Sequence, residues 1–184
     1  LMPPRGGDPI RSLKIAQLLK DKVHAVNITD GSRAIMRMCS LAMSKLLLDN
    51  GIEPIMQISC RDRNKIALQS DILGANALGI KNILCITGDS VKAGDQQETK
   101  AVHEFEAVRL LKQIQSFNQG IDPTFEQLPD KRTKIFSGAA VDPSCRNQRS
   151  LKSRTIKKKE AGANFLQTQI AVSYTHLRAH ETCH

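Results

Sequence analysis

The sequence predicts an α/β fold in which parallel strands alternate with helical crossovers. Three observations carry this expectation. Apolar segments of strand length recur at near-regular intervals, helical patterns fill the gaps between them, and polar residues collect where the strands end. The strand segments are 23–29, 53–59, 82–88, 134–141 and 165–170, and their starts lie 30, 29, 52 and 31 residues apart. About thirty residues is the span of one βαβ unit. Strands that read as largely buried belong in a parallel sheet covered by helices.

Each element has its own local cause. Asp8-Pro9 offers an N-cap followed by proline at the first helical position, so a helix opens the chain. Strand 23–29 ends on Thr29-Asp30-Gly31. Beyond Ser32, the residues Ile35, Cys39, Ala42 and Leu46 repeat at helical spacing, and Asn50-Gly51 stops that helix. Strand 53–59 runs into Ser59-Cys60-Arg61-Asp62. Asn64 then heads a helix with the stripe Ile66, Ser70, Leu73 and Ala77, continued at Ile80, and Gly79 supplies the stop. Strand 82–88 ends on Thr87-Gly88-Asp89. Residues 98–118 read as a helix with a looser stripe of Phe105, Val108, Leu111 and Ile114. Strand 134–141 leads to Asp142, helix 150–161 stops at Gly162, and strand 165–170 carries Gln167-Thr168-Gln169. The longest gap holds two loops, 90–97 and 119–133, rich in Gly, Pro, Asp and Gln. Long loops on a catalytic face shape ligand sites.

Two architectures fit this alternation, a doubly wound open sheet and an eightfold barrel. No GxGxxG follows the first strand, which counts against the dinucleotide-binding open sheet. In a barrel, the C-terminal ends of the strands carry the chemistry, and those ends are where the polar residues gather.

Composition excludes other functions. With 184 residues, 40% of them apolar, the chain has the core of one domain or of part of a larger one. Aromatic residues make up only 3%, with no tryptophan, so a stacking platform for single-stranded nucleic acid is not expected. No apolar run reaches membrane-spanning length, and no leader is expected ahead of the first motif. The net charge of +9 is local: residues 131–159 carry ten basic side chains against Asp142 alone, and the rest of the chain is balanced. That stretch suits phosphates or a polyanionic substrate, but it reads first as a solvated helix face, so no nucleic-acid partner is expected. Cys39, Cys60, Cys85, Cys145 and Cys183 are odd in number, widely spaced and free of any CxxC pair. Reduced thiols in the cytoplasm fit them better than a disulfide framework.

Four blocks then stand in order along the chain: Pro3-Pro4-Arg5-Gly6; Cys60-Arg61-Asp62-Arg63-Asn64; Leu73-Gly74 with Ala77–Leu84 and Thr87-Gly88-Asp89; and Ala161-Gly162-Ala163-Asn164 with Thr168-Gln169. Through them the chain resembles the methylenetetrahydrofolate reductase family over roughly residues 1–170. The resemblance implies a (β/α)8 TIM barrel, present here as an incomplete fragment of about five parallel strands. It implies FAD as cofactor and reduction of 5,10-methylenetetrahydrofolate to 5-methyltetrahydrofolate in one-carbon and methionine metabolism. The electron donor would be NAD(P)H or a ferredoxin-like iron–sulfur partner, and the intact protein would be a homo- or hetero-oligomer.

The same resemblance implies roles for individual residues. Thr29, Asp30, Gln57, Thr87, Gly88, Asp89, Ala140, Val141 and Lys158 would line FAD, Asp89 and Gln169 would hold the folate, and Asp89 would be the catalytic residue. The chemistry agrees. The substrate must open to an iminium cation before it accepts hydride, and a carboxylate stabilises that cation. A neutral amide both donates to and accepts from a heterocycle edge. Two residues depart from the family pattern: Gln57 stands where many members have His, and Thr87 where many have Arg. Both departures remove contacts to a cofactor, and they motivate an alternative, a non-catalytic barrel subunit docking on an iron–sulfur or methyltransferase partner.

The ends of the chain carry separate expectations. The family's proton-donating Glu would fall just before Leu1, so the chain is expected to lack its general acid. Residues 172–182 look like a translated sequencing-library adapter. Residues 1–170 therefore read as a partial barrel domain and 171–184 as a non-native tail. His176, His180, Cys183 and His184 have zinc-ligand spacing, but within such a tail no metal site is expected. Five strands without the last two βα units leave sheet edges open, so the isolated chain is expected to be inactive and poorly soluble or oligomeric.

Overall fold

A computed structural model describes residues 1–122, 127–128 and 132–169. Helices and strands alternate as α1 (Ile10–Gln17), β1 (Val26–Ile28), α2 (Ser40–Asp49), β2 (Pro54–Ser59), α3 (Lys65–Ala77), β3 (Asn82–Ile86), α4 (Ala107–Gln119), β4 (Phe136–Val141), α5 (Gln148–Glu160) and β5 (Phe165–Thr168). Single 3-10 turns at Ser32–Ala34 and Val91–Ala93 follow β1 and β3.

The five strands pair in chain order, β1-β2-β3-β4-β5, and every pairing is parallel. This order decides between the two architectures. A doubly wound sheet reverses its strand order at a switch point, and none occurs among the five described strands. Each crossover advances one strand in the same direction, as in a barrel wall. The molecule is a curled α/β half-barrel, an incomplete TIM barrel.

Side chains alternate across this wall with the period of two that a strand imposes. One set faces the helices. Met56, Ile58, Ile83, Cys85 and Ala139 pack with Leu68, Ile72 and Ala75 of α3 and with Leu110, Leu111, Ile114 and Phe117 of α4 in the main core. A second cluster joins Ala16 of α1 and Met43 and Leu47 of α2 to Val26 and Ile28 of β1. Each fully buried Leu or Ile contributes roughly 1.5–3 kcal/mol, so this helix-facing layer carries most of the stability. The opposite set, including Asn27, Ile55, Gln57, Leu84, Ala140 and Gln167, faces the concave side. Near the bottom of that side the Phe136 and Phe165 rings stack with centroids 5.4 Å apart. Gly138 makes room for them, since a Cβ there would stand 2.4 Å from the Phe165 ring.

Local signals hold at several helix ends. The Asn64 side chain accepts from Ala67 N–H (2.9 Å) and Asn147 from Ser150 N–H (3.0 Å), each as an N-cap. Asp8 accepts from Ile10 N–H (2.9 Å), with Pro9 as the residue before the first helical position rather than within it.

Three helical expectations are corrected. The helix expected from Ser32 begins only at Ser40, and its buried residues are Ser40, Met43, Ser44 and Leu47, not the stripe at 35, 39, 42 and 46. Tertiary contacts hold the chain before it in an irregular loop. Helix α3 buries Leu68, Ile72 and Ala75, while Ile66, Ser70, Leu73 and Ala77 lie on its outer face. Residues 98–106 are not helical; α4 starts at Ala107, although Phe105 is buried as its stripe required. Among the described residues no helix is long and apolar enough to cross a membrane, and no cluster of His, Cys, Asp and Glu could hold a metal ion. The quartet His176, His180, Cys183 and His184 and the tail beyond 170 lie outside the described residues.

Candidate functional site

The C-terminal ends of the strands surround one cleft of about 780 Å³ on the concave side. Backbone topology makes this grouping inevitable: a parallel wall brings the ends of all its strands to one rim. From β1 come Asn27, Thr29 and Asp30; from β2, Gln57 and Arg61; from β3, Leu84, Thr87, Gly88 and Asp89. From β4 and α5 come Ala140 and Lys158, and from β5, Gln167 and Gln169. Of the residues the sequence singled out, only Val141 is not among those lining the cleft. Its side chain is buried on the face it shares with Ala139, and its carbonyl accepts from Gln169 N–H (2.8 Å).

Asp89 stands at the rim, exposed, on the loop after β3. Its Oδ2 accepts from Arg33 N–H (2.7 Å), which joins the loop after β3 to the loop after β1. Gly88 sets the turn that puts it there. Its φ is +97°, and a Cβ at this position would stand 2.4 Å from Ser59 Oγ and 2.7 Å from Arg61 Cβ. Left-handed backbone and the close approach both require glycine.

Asp30 is committed elsewhere. Its buried carboxylate accepts from Ser59 N–H (2.9 Å) and from Arg63 through Nη1 (2.6 Å) and Nη2 (3.3 Å). Arg63 Nε also pairs with Asp71 (2.7 Å). Burial works against the Arg63 charge, but the two carboxylates hold its pKa above the ordinary arginine value. Burial pushes Asp71 upward, with Arg63 opposing it. Asp30 therefore borders the cleft while its carboxylate braces the end of β2.

The remaining polar groups are less occupied. Gln57 Nε2 donates to Asn27 Oδ1 (3.3 Å). The Thr29 hydroxyl is buried without a hydrogen-bond partner among the described residues. Lys158 Nζ donates to the Ala140 carbonyl (2.6 Å), and burial, reinforced by Arg154, lowers its pKa. A cation whose charge is disfavoured in this way gains when an anion arrives. Thr87 Oγ1 accepts weakly from Ala107 N–H (3.5 Å), at the start of α4.

The sequence reading gave no role to Asn27, Arg33, Arg61 and Gln167, which also line the cleft. Asn27 and Gln167 precede Thr29 and Gln169 by two, so strand alternation was the signal that points to them. Arg33 and Arg61 reach the site through tertiary contacts that no local pattern encodes.

Comparison with known proteins adds the following. The family model described as methylenetetrahydrofolate reductase matches residues 1–182, a span that includes most of the segment read as a tail. A solved structure titled as an uncharacterized protein from Clostridium thermocellum that binds two copies of 5-methyl-5,6,7,8-tetrahydrofolic acid is similar in fold, with a TM-score of 0.61 at 12% identity. The similarity covers 97% of this chain and 55% of that one, so this chain spans about half the neighbour's length. No curated protein matches the chain. On the family match across nearly its whole length, the chain belongs to the methylenetetrahydrofolate reductase family.

Proposed function

We propose that the protein to which this chain belongs reduces 5,10-methylenetetrahydrofolate to 5-methyltetrahydrofolate with FAD as cofactor. The observation that carries this reading is the meeting of Asp89 from the loop after β3, Lys158 from α5 and Gln169 from just past β5 around one cleft on a barrel wall of this family. The folate-binding neighbour of similar fold supports a folate ligand.

The residues present fit FAD. The cleft offers an unpartnered Thr29 hydroxyl, a Lys158 cation suited to phosphate, and a close backbone turn at Gly88. Thr29, Gln57, Thr87, Gly88, Ala140 and Lys158 would hold the cofactor. When bound, FAD supplies the hydride. The chain's residues do the rest. Gln169 orients the pterin through an amide that donates and accepts. Ala140, half-buried, presents apolar surface at the cleft, over the fully buried Leu84. Asp89 supplies negative charge where the substrate becomes an iminium cation, the kind of fixed electrostatic stabilisation worth ~10²–10³ in rate. Val141 contributes backbone only, and Asp30 acts by bracing β2. The electron donor is NAD(P)H or an iron–sulfur partner, the setting cytoplasmic, and the working state an oligomer.

The test uses the full-length product of the gene. Bound flavin absorbance that bleaches on adding methyltetrahydrofolate supports the reading, and bleaching by NAD(P)H selects that donor. Asp89→Asn should keep the flavin and slow bleaching by ~10²-fold or more. A colourless protein that cannot be reconstituted with FAD defeats the proposal.

A further inference from the structure

The loops after β1 and β3 meet over one buried side chain. Arg61 follows β2, and its side chain is only 5% exposed. Asp62 grips its guanidinium in a fork, with Nε to Oδ1 and Nη2 to Oδ2 both at 2.6 Å. The remaining nitrogen, Nη1, donates to the Gly31 carbonyl (3.1 Å) and, more weakly, to the Asp89 carbonyl (3.5 Å). The Arg61 carbonyl in turn accepts from Val102 N–H (2.7 Å). Both loops are shaped around this residue by glycine: a Cβ on Gly31 would stand 2.6 Å from Arg61 Nη2, and one on Gly88 2.7 Å from Arg61 Cβ. The loop after β1 is itself strained, with the non-glycine residues Arg33 and Ala34 both at positive φ. Such conformations persist only where surrounding contacts over-determine them. Here those contacts are Arg61 on Gly31 and Asp89 on the Arg33 amide.

We infer that Arg61 is a positioning residue that ties the loop after β1 to the loop after β3 and so fixes where the Asp89 carboxylate stands at the cleft. Arg61 acts through Asp89 and needs no contact with a ligand. The fork explains why arginine suits this position. Two nitrogens are spent on Asp62, which fixes the plane, and the third reaches both carbonyls; lysine offers one nitrogen and no plane. The functional weight of this arrangement rests on the reading of Asp89 given above, but the coupling between the loops is testable by itself.

The reporter is the Arg33 backbone amide, followed by hydrogen exchange in the 184-residue chain, with the Cys85 amide in β3 as core reference. Arg61→Lys should speed exchange at Arg33 by ~tenfold or more and leave Cys85 unchanged. Asp62→Asn, at a side chain that is 41% exposed and tolerant, keeps Arg61 but loosens its fork, and should give the same pattern more weakly. Asp89→Ala removes the acceptor of the Arg33 N–H and should release Arg33 directly. Unchanged protection at Arg33 in both Arg61→Lys and Asp62→Asn overturns the inference. Uniform loss that includes Cys85 also overturns it, since Arg61 would then be a stability residue. FAD titration of the full-length product of the gene, the protein on which the functional reading is tested, separates the two. No FAD uptake with selective loss at Arg33 sinks the reductase proposal and upholds the coupling; FAD uptake with Arg33 unmoved does the reverse.

Discussion

Replacing Gly88 by alanine adds one methyl group to the most crowded turn of the site. At φ +97° an L-residue pays for left-handed backbone, about 1–2 kcal/mol. The new Cβ would also fall 2.4 Å from Ser59 Oγ and 2.7 Å from Arg61 Cβ. Ser59 is fully buried and its Oγ accepts from Arg61 N–H (3.2 Å), so it cannot rotate away without losing that bond. Overpacking of this kind costs roughly 1–3 kcal/mol. The sum is about 2–5 kcal/mol, a large part of a domain stability of ~5–15 kcal/mol. Gly74→Ala is the matched comparison. Gly74 lies inside α3, has a helical environment and nothing within 4 Å of its built Cβ. There alanine should gain up to ~1 kcal/mol from helix propensity. Urea unfolding followed by circular dichroism measures both. Opposite signs are expected, with the Gly88→Ala midpoint lower by on the order of 1–2 M at an ordinary slope. A Gly88→Ala loss below ~0.5 kcal/mol, or two variants that behave alike, would refute the steric account.

Other outcomes follow from the same geometry. Asp30→Ala strands part of the Arg63 charge beside Asp71, and urea unfolding should register a loss of ~3–5 kcal/mol, well above that of an exposed carboxylate such as Asp49. Iodoacetamide should label Cys39 and Cys145 in the folded chain and reach Cys60 and Cys85 only after denaturation. Burial pushes the Cys60 thiol up to about 12, against the pull of Arg63, so it stays protonated and unreactive even at pH 9. Rapid native labelling of Cys60 would contradict the packing around β2. Lys158→Met should weaken FAD binding by ~tenfold or more, measured by fluorescence titration, because a charge-assisted bond to phosphate is worth about 1.5–3 kcal/mol. Equal FAD affinity in the variant would remove Lys158 from the cofactor site.

What the sequence made legible was whatever depends on local periodicity. Five strands stood within a few residues of their expected bounds because runs such as Ile83–Ile86 and Met56–Ser59 have no competing local reading. The polar residues at their ends needed only the fact that a parallel wall gathers those ends. Helix faces were less legible. Helix α3 has apolar residues on both sides, so Ile66 and Leu73 formed as regular a stripe as Leu68 and Ile72, and only the position of α4 and the sheet decides which is buried. The start of α2 failed for another reason. Residues 31–39 are held in irregular backbone by Asp89 on Arg33, Asp95 on Met36 and Arg61 on Gly31, partners 30 to 59 residues away. The family blocks drew attention to Asp89 and Gln169, whereas the part played by Arg61 depends on side-chain reach, which spacing does not express.

The two-sided wall has an evolutionary consequence. Met56, Ile58, Ile83 and Ala139 hold the helices, while Gln57, Leu84 and Ala140, one step away on the same strands, face the cleft. A side chain such as Gln57 can therefore be exchanged on the cleft face without touching the residues packed beneath the helices. Ligand preference in such a scaffold is free to drift while foldability stays under separate constraint.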